Sequence, residues 1–356
     1  MDSPRMTQRP FALLLTLIFA LPATAKNPTA LFYLMNSDKS TNSFLAHADK
    51  IDTLVPTWYR VDPTGVVNGT PNEHVYRIAQ QKKITLTPIL SMSGSRDGFH
   101  TLLHDEAAKT RMNTFLVKES KARGYKGFQF DFENIAQTDR GAYTLMVKQT
   151  AEALHKAGMT LSIAIVPNAP GHPEEGGDFS KWMWEYWRGV YDLKALGQAA
   201  DLISLMTYDQ HTRWTTPGPV AGMPWTKKHL EYALTQVPKE KLSLGIPTYG
   251  YRWFTGNPVR KDGTENSNIS GTYIDADKSF PLAIAQKANV QWDPIEQESW
   301  FYFYRDNMRE WVFRPDAHSF RARYDLVKQN GLQGFSCWVL GAEDPKMWDE
   351  LPLATH

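Results

Sequence analysis

Two carboxylates stand two positions apart in Gly127-Phe-Gln-Phe-Asp-Phe-Glu-Asn134, at Asp131 and Glu133. Alternate side chains of a strand point to opposite faces, so Gln129, Asp131 and Glu133 share one face and Phe128, Phe130 and Phe132 the other. The Cα atoms of Asp131 and Glu133 are then roughly 6.5–7 Å apart and their carboxyls can approach. Two acids that close cannot both ionise freely, and one apparent pKa rises. A carboxylic acid kept protonated near neutral pH can donate to a leaving group. Glu133, nearer the strand end, is the better acid and Asp131 the better partner.

Further polar and aromatic groups fall at other expected strand ends. Tyr208 and Asp209 close Ser204-Leu-Met-Thr-Tyr-Asp209, where a phenol and a carboxylate could bond a polar substrate group or simply cap the strand. Trp338 could floor a pocket or belong to the core. The chain has 12 tryptophans, and Trp182, Trp184, Trp187, Trp214, Trp225 and Trp253 fall in expected rim loops, where indoles could stack on sugar faces or pack helices. His100 and His104 have the i, i+4 spacing of a zinc pair, but lack the intervening Glu of the zinc-hydrolase motif, so no metal is expected. No Gly-x-Ser-x-Gly elbow or phosphate-binding loop is present. The single cysteine, Cys337, lies in an apolar run and reads as an inert core residue.

Positioning these groups requires a particular scaffold. A Phe row facing packed helices and an acidic row facing a cavity fit a parallel barrel, whose C-terminal strand ends carry chemistry. An edge strand with solvated acids is the competing reading. Short apolar strands alternate with helical stretches: 30–34, 51–59, 84–91, 127–134, 160–166, 200–207, 241–248 and 334–339. The expected fold class is therefore α/β, a (β/α)8 TIM barrel. Pro88 is tolerable in the third strand only where the ladder breaks or bends. Helices are expected at 71–82, at 105–123 with Gly124 as C-cap, and at 142–157 ending at Gly158. Between the seventh and eighth strands, Trp300-Phe-Tyr-Phe-Tyr304 and Glu310-Trp-Val-Phe313 flank a turn and read as a hairpin. A small α+β insertion is expected over about 251–316. An open doubly wound sheet is the alternative, and no Gly-rich dinucleotide fingerprint follows the first strand.

Composition narrows the partners. Lys plus Arg (39) nearly balance Asp plus Glu (38) for a net charge of +1 in 356 residues, so no global field draws the chain to nucleic acid or an anionic membrane. Arg5 and Arg9 precede the apolar run 11–20 and the small-x-small Ala23-Thr-Ala25. That pattern predicts a signal peptide over 1–25 cleaved after Ala25, with 26–356 as the mature domain, secreted or periplasmic and without stable membrane insertion.

These motifs, taken together, resemble glycoside hydrolase family 18, the chitinase-like barrels. The signature Asp-Gly-x-Asp-x-Asp-x-Glu reads here Lys126-Gly-Phe-Gln-Phe-Asp-Phe-Glu133. Met-x-Tyr-Asp appears as Met206-Thr-Tyr-Asp209, Gly-Ile-Pro-x-Tyr-Gly as Gly245-Ile-Pro-Thr-Tyr-Gly250, and the eighth-strand tryptophan as Trp338. The segment Trp311 to Trp348, with Gly334-Phe-Ser-Cys-Trp-Val-Leu-Gly-Ala-Glu-Asp344, looks most like the spore-cortex, peptidoglycan-directed N-acetylglucosaminidase branch. The resemblance implies a retaining, cofactor-free hydrolase of β-1,4 bonds next to N-acetylglucosamine in peptidoglycan or chitin, working as a monomer. It implies Glu133 as acid, Asp131 on the acetamide N–H, Tyr208 and Asp209 on the acetamide oxygen, and Trp338 under the sugar, with Gln129, Tyr33, Met206 and Tyr249 in the substrate pocket. Lys126 and Gln129 depart from the pattern. A neutral Gln129 cannot share a proton with Asp131, though its N–H could donate to it. A non-catalytic, lectin-like glycan-binding barrel is the competing class; such relatives commonly lack the acid that Glu133 supplies.

Overall fold

The computed structural model describes residues 27–173, 175–254 and 271–354. The expected signal peptide lies outside the described residues, as does part of the expected insertion, residues 255–270. The barrel strands are β1 (Thr29–Leu34), β2 (Thr53–Pro56), β3 in two pieces (Thr85–Leu86 and Ile89–Met92), β4 (Gly127–Asp131), β5 (Thr160–Ile165), β6 (Leu202–Leu205) and β7 (Leu242–Pro247). All pair in parallel with their neighbours. The last barrel strand, Gly334–Trp338, pairs in parallel with both β7 and β1. The first piece of β3 pairs with β2 and the second with β4, so the ring closes through an interrupted strand. Pro88 sits in the interruption, where the missing N–H costs no ladder bond.

The expected second strand stops at Pro56, and Tyr59–Val61 instead forms a short hairpin with Val67–Gly69 beside the second piece of β3. Three helices matter for the site. The first, α1 (Arg96–His104), is not foreseen in the sequence, where Gly98 and two histidines blur its periodicity; Ser95 caps it by accepting from Gly98 N–H. The second, α2 (Glu106–Arg123), starts under the Asp105 cap and ends at Gly124, whose φ of 68° is the left-handed geometry expected of a C-cap. The third is α3 (Arg140–Lys156).

Phe128, Phe130 and Phe132 are fully buried in the main core between the barrel and these helices. Phe132 packs on Phe99 of α1 with ring centroids 4.7 Å apart. Each such ring contributes roughly 1.5–3 kcal/mol by leaving water, which pins the opposite, acidic row to the lumen. The lumen floor is polar. Gln129, Ser204, Ser243 and Ser336 are buried, with Gln129 Nε2 donating to Ser204 Oγ at 3.4 Å and the three serine hydroxyls linked to one another.

A second, antiparallel sheet follows β7: β8 (Tyr249–Phe254), β9 (Thr272–Asp275), β10 (Gln291–Asp293), β11 (Glu298–Arg305) and β12 (Met308–Arg314). The barrel strand Gly334–Trp338 is then β13. β11 and β12 form the expected hairpin, turned by Asp306 and Asn307 at φ 52° and 62°, the doubly left-handed geometry of a two-residue turn that suits the strand twist. Behind this sheet, Arg323 on the helix α4 (Ala317–Asn330) is fully buried. Its guanidinium donates to Glu298 Oε2 at 3.1 Å and to the carbonyls of Gln297, Ser319 and Ala221.

Candidate active site

A cavity of about 980 Å³ opens at the C-terminal ends of the barrel strands, lined by Asp131, Glu133, Tyr208, Asp209, Tyr33, Met206, Tyr249 and Trp338, among others. A substrate-sized cleft at this end of a barrel is where such folds place their chemistry. Gln129 is the exception among the sequence candidates. It is fully buried one step below Asp131, and its amide N–H goes to Ser204, so the expected Gln129–Asp131 hydrogen bond is replaced by a link into the serine floor.

The acids stand in a low-dielectric setting. Burial pushes Asp131 up to about 6. Glu133 is pushed up to about 8, first by burial, then by the negative charges of Asp131 and Asp209. Both effects favour the protonated form of Glu133. Asp209 is also raised by burial, against the hydrogen bond it accepts from Tyr249 Oη at 2.6 Å. Tyr208 is pushed well above its ordinary range by burial and stays a phenol able to donate. Among the described residues, the buried Asp131 Oδ1 in the cleft finds no hydrogen-bond partner. Buried polar atoms left unsatisfied in a cleft mark a surface built to meet a polar guest.

The backbone around these groups is held firmly. Asn134, directly after Glu133, has φ 56°, and Asp209 has φ 62°; asparagine and aspartate enter this left-handed region more readily than other non-glycine residues. For Asn134 the clamp is Arg96 of α1, which donates to both the Asn134 carbonyl and its side chain and lies 4.0 Å from the Tyr186 ring. Tyr191 Oη donates to the Phe132 carbonyl at 2.8 Å, fixing the peptide before Glu133. Neither residue stands out in the sequence, since an arginine at the start of a helix and a buried tyrosine carry no spacing signal.

The walls are aromatic. Trp182, Trp187, Trp214 and Trp225 line the cavity, joined by Phe179, Tyr251 and Tyr273, but Trp182, Trp187 and Trp225 do so from helices rather than from the expected loops. Phe179 and Trp182 stack at 6.0 Å, and Trp214 is 75% exposed beneath the Arg213 guanidinium. Trp184 and Trp253 instead turn inward, the latter donating Nε1–H to the Thr212 carbonyl. Trp338 lines the cavity, 5.2 Å from the Tyr33 ring. Cys337 is buried and burial pushes its thiol far up, which rules it out as a nucleophile.

The raised Glu133 has a thermodynamic consequence. Between its unfolded value near 4.5 and its folded value near 8, the folded chain binds more protons than the unfolded one, so stability falls as pH rises across that window and is flat above it. Glu133→Gln removes this term. Its melting temperature, measured from pH 5 to pH 9, is expected to climb relative to wild type as pH increases; parallel curves would show that the acid ionises freely.

The model of the family described as glycosyl hydrolases family 18 matches residues 29–343. The chain is 27% identical over 295 residues to the cortical fragment-lytic enzyme of Bacillus subtilis (strain 168), covering 82% of this chain but only 64% of that protein. It is 24% identical over 330 residues to the uncharacterized glycosylase YvbX of the same organism, covering 91% of this chain and 90% of the relative. Its fold superposes on a chitinase from Chromobacterium violaceum with a TM-score of 0.80 at 26% identity, over 91% of this chain and 97% of the other. The Bacillus cereus spore cortex-lytic enzyme SleL gives a TM-score of 0.81 at 23% identity, over 92% and 74%. With its barrel, acid-bearing strand and near full-length match, the chain belongs to glycosyl hydrolases family 18.

Proposed function

We propose that the protein is a retaining glycoside hydrolase that cleaves β-1,4 bonds next to N-acetylglucosamine in peptidoglycan or chitin. The observation that carries this reading is Glu133 lining an aromatic-walled cleft beside Asp131, where burial and neighbouring carboxylates favour its protonated form. Glu133 gives its proton to the glycosidic oxygen as the C1–O bond breaks. The substrate's own 2-acetamido oxygen attacks C1 and closes an oxazolinium ring, so no second enzyme carboxylate is needed as nucleophile. Asp131 accepts the acetamide N–H and offsets the positive charge of the ring. Tyr208 and Asp209 hold the acetamide oxygen, and Trp338 supports the sugar face. Glu133, now a carboxylate, takes a proton from water, which opens the ring with net retention. The apolar run at 11–20 behind Arg5 and Arg9 favours action outside the cytoplasm, and the chain is taken to act as a monomer.

The test is digestion of N-acetylglucosamine oligomers and purified cell wall by the wild type and Glu133→Gln, with products weighed by mass spectrometry. New reducing ends from the wild type support a hydrolase, and the substrate that yields them separates chitin from peptidoglycan. Binding with no reducing ends from either glycan would favour the lectin-like reading.

The pH profile provides a further check. Asp131 must be anionic and Glu133 protonated, so kcat/KM should be bell-shaped, falling below about 6 and above about 8; these limbs belong to the interacting pair rather than to either residue alone. Gln129→Asp places a second acid beneath Asp131, which should raise the pH needed to ionise that pair and move the acid limb upward. An unmoved acid limb would mean that the floor residue does not influence Asp131.

A further inference from the structure

We propose that His100, His104 and Asp139 form a binding site for one divalent transition-metal ion of the zinc class, which fastens α1 to the loop that follows the candidate catalytic acid. The two histidines lie on one face of α1 at i, i+4. Asp139 comes from the turn Gln137–Asp139 just ahead of α3, six positions past Glu133. One ligand atom from each residue lies within 4.8 Å of the other two. Asp139 Oδ1 is 2.7 Å from His100 Nδ1 and 3.4 Å from His104 Nε2.

Several features favour an ion over a plain hydrogen-bonded cluster. The Asp139 side chain is only 3% exposed, and a buried carboxylate needs a compensating charge. Its hydrogen-bond partners are the two imidazoles, both aimed at the same oxygen. Other charged groups nearby are engaged elsewhere. Arg140 pairs with Asp192 at 3.6 Å and donates to the Gly189 carbonyl, Asp105 caps α2, and Arg96 holds Asn134. Four-coordinate zinc at about 2.0–2.2 Å from its ligands needs them roughly 3.3–3.6 Å apart. The histidines are 58% and 55% exposed, so their rings can make that small adjustment without disturbing the core. Two imidazoles and one carboxylate suit zinc, copper or nickel, not calcium or magnesium.

The missing Glu of the zinc-hydrolase motif argues against a catalytic metal, and the geometry agrees, since none of the three residues lines the cleft. A positioning role requires no such base. The ion would add a third tie to a junction already made by Phe99 on Phe132 and Arg96 on Asn134.

The test uses the full chain, freed of metal with a chelator and titrated with zinc chloride by calorimetry, then with cobalt chloride by visible absorption. One zinc per chain, a rise in melting temperature on zinc addition and a tetrahedral cobalt spectrum are expected, with no response to calcium chloride. His100→Ala and His104→Ala alter exposed side chains and should fold normally, yet each should weaken zinc binding by at least about tenfold. Asp139→Asn tests the third ligand. Absence of zinc binding at millimolar zinc, wild-type zinc binding by the two histidine variants, or a calcium response matching that of zinc would overturn the proposal. All of these readouts are independent of hydrolysis, so a failed glycosidase assay leaves the metal question intact.

Discussion

Glu133→Gln is expected to lower kcat/KM on N-acetylglucosamine oligomers by roughly 10²–10⁴-fold, the usual span for losing a positioned acid–base group. The loss should fall on kcat with KM little changed, because the amide keeps the shape and hydrogen-bonding reach of the carboxyl but cannot give up a proton. Both halves of the reaction suffer, since the same residue protonates the leaving oxygen and then activates water. The expected rise in this variant's thermal stability relative to wild type as pH increases supplies an internal control: it shows that the protein is folded while activity is gone. Retention of wild-type turnover by Glu133→Gln would remove the acid from the mechanism and with it the proposed reaction. Asp131→Asn makes a distinct pattern. Removing its charge takes away one of the causes that raise Glu133, so residual activity should lose its basic limb at lower pH than the wild type.

The largest effect on stability is expected from Arg323→Met. In the native chain Arg323 and Glu298 are both excluded from solvent and joined at 3.1 Å, and the arginine also satisfies carbonyls from three separate segments. Removing the cation leaves a carboxylate buried without its counter-charge and backbone acceptors without a donor. Breaking such a pair typically costs about 3–5 kcal/mol, a fall in melting temperature on the order of 10 °C for a domain of this size. Burial already pushes Glu298 up to about 7 despite the arginine. Its carboxyl should stay protonated further still in the variant, so the deficit should be smaller in acid and larger in base. Arg323→Met combined with Glu298→Leu should recover much of the loss, as buried pairs replaced by apolar groups often do. A single variant that melts within a degree or two of wild type would show that the pair carries little of the coupling between the second sheet and the barrel. Because β8 and β9 of that sheet bring Tyr249, Tyr251 and Tyr273 to the cleft, the destabilised variant should also bind oligomers less tightly.

Much of the architecture was legible from periodicity. A strand with phenylalanines at every second position and polar groups between them is placed most economically with rings toward the helices and acids toward a lumen rather than at a solvated edge, and burial of Phe128, Phe130 and Phe132 bears that out. Pro88 marked an interruption because a residue without an N–H cannot serve a ladder. Gly124 marked a helix end because the left-handed turn there suits glycine. These are local constraints, each decided within a few residues of the chain.

What the tertiary structure alone decided is of another kind. The direction of an amide, as with Gln129 turning to Ser204 rather than Asp131, depends on which partners three other strands deliver to the same depth. Whether a tryptophan lines a cleft, as Trp214 does, or enters the core, as Trp253 does, depends on the sheet that folds over it. The clamp of Arg96 on Asn134 and the approach of Asp139 to His100 and His104 join residues 35 to 39 positions apart. Spacing in sequence reports only which side chains share a face of one element. Charges, orphaned polar atoms and ligand sets arise where faces of different elements meet, and that meeting is settled by packing of the whole barrel.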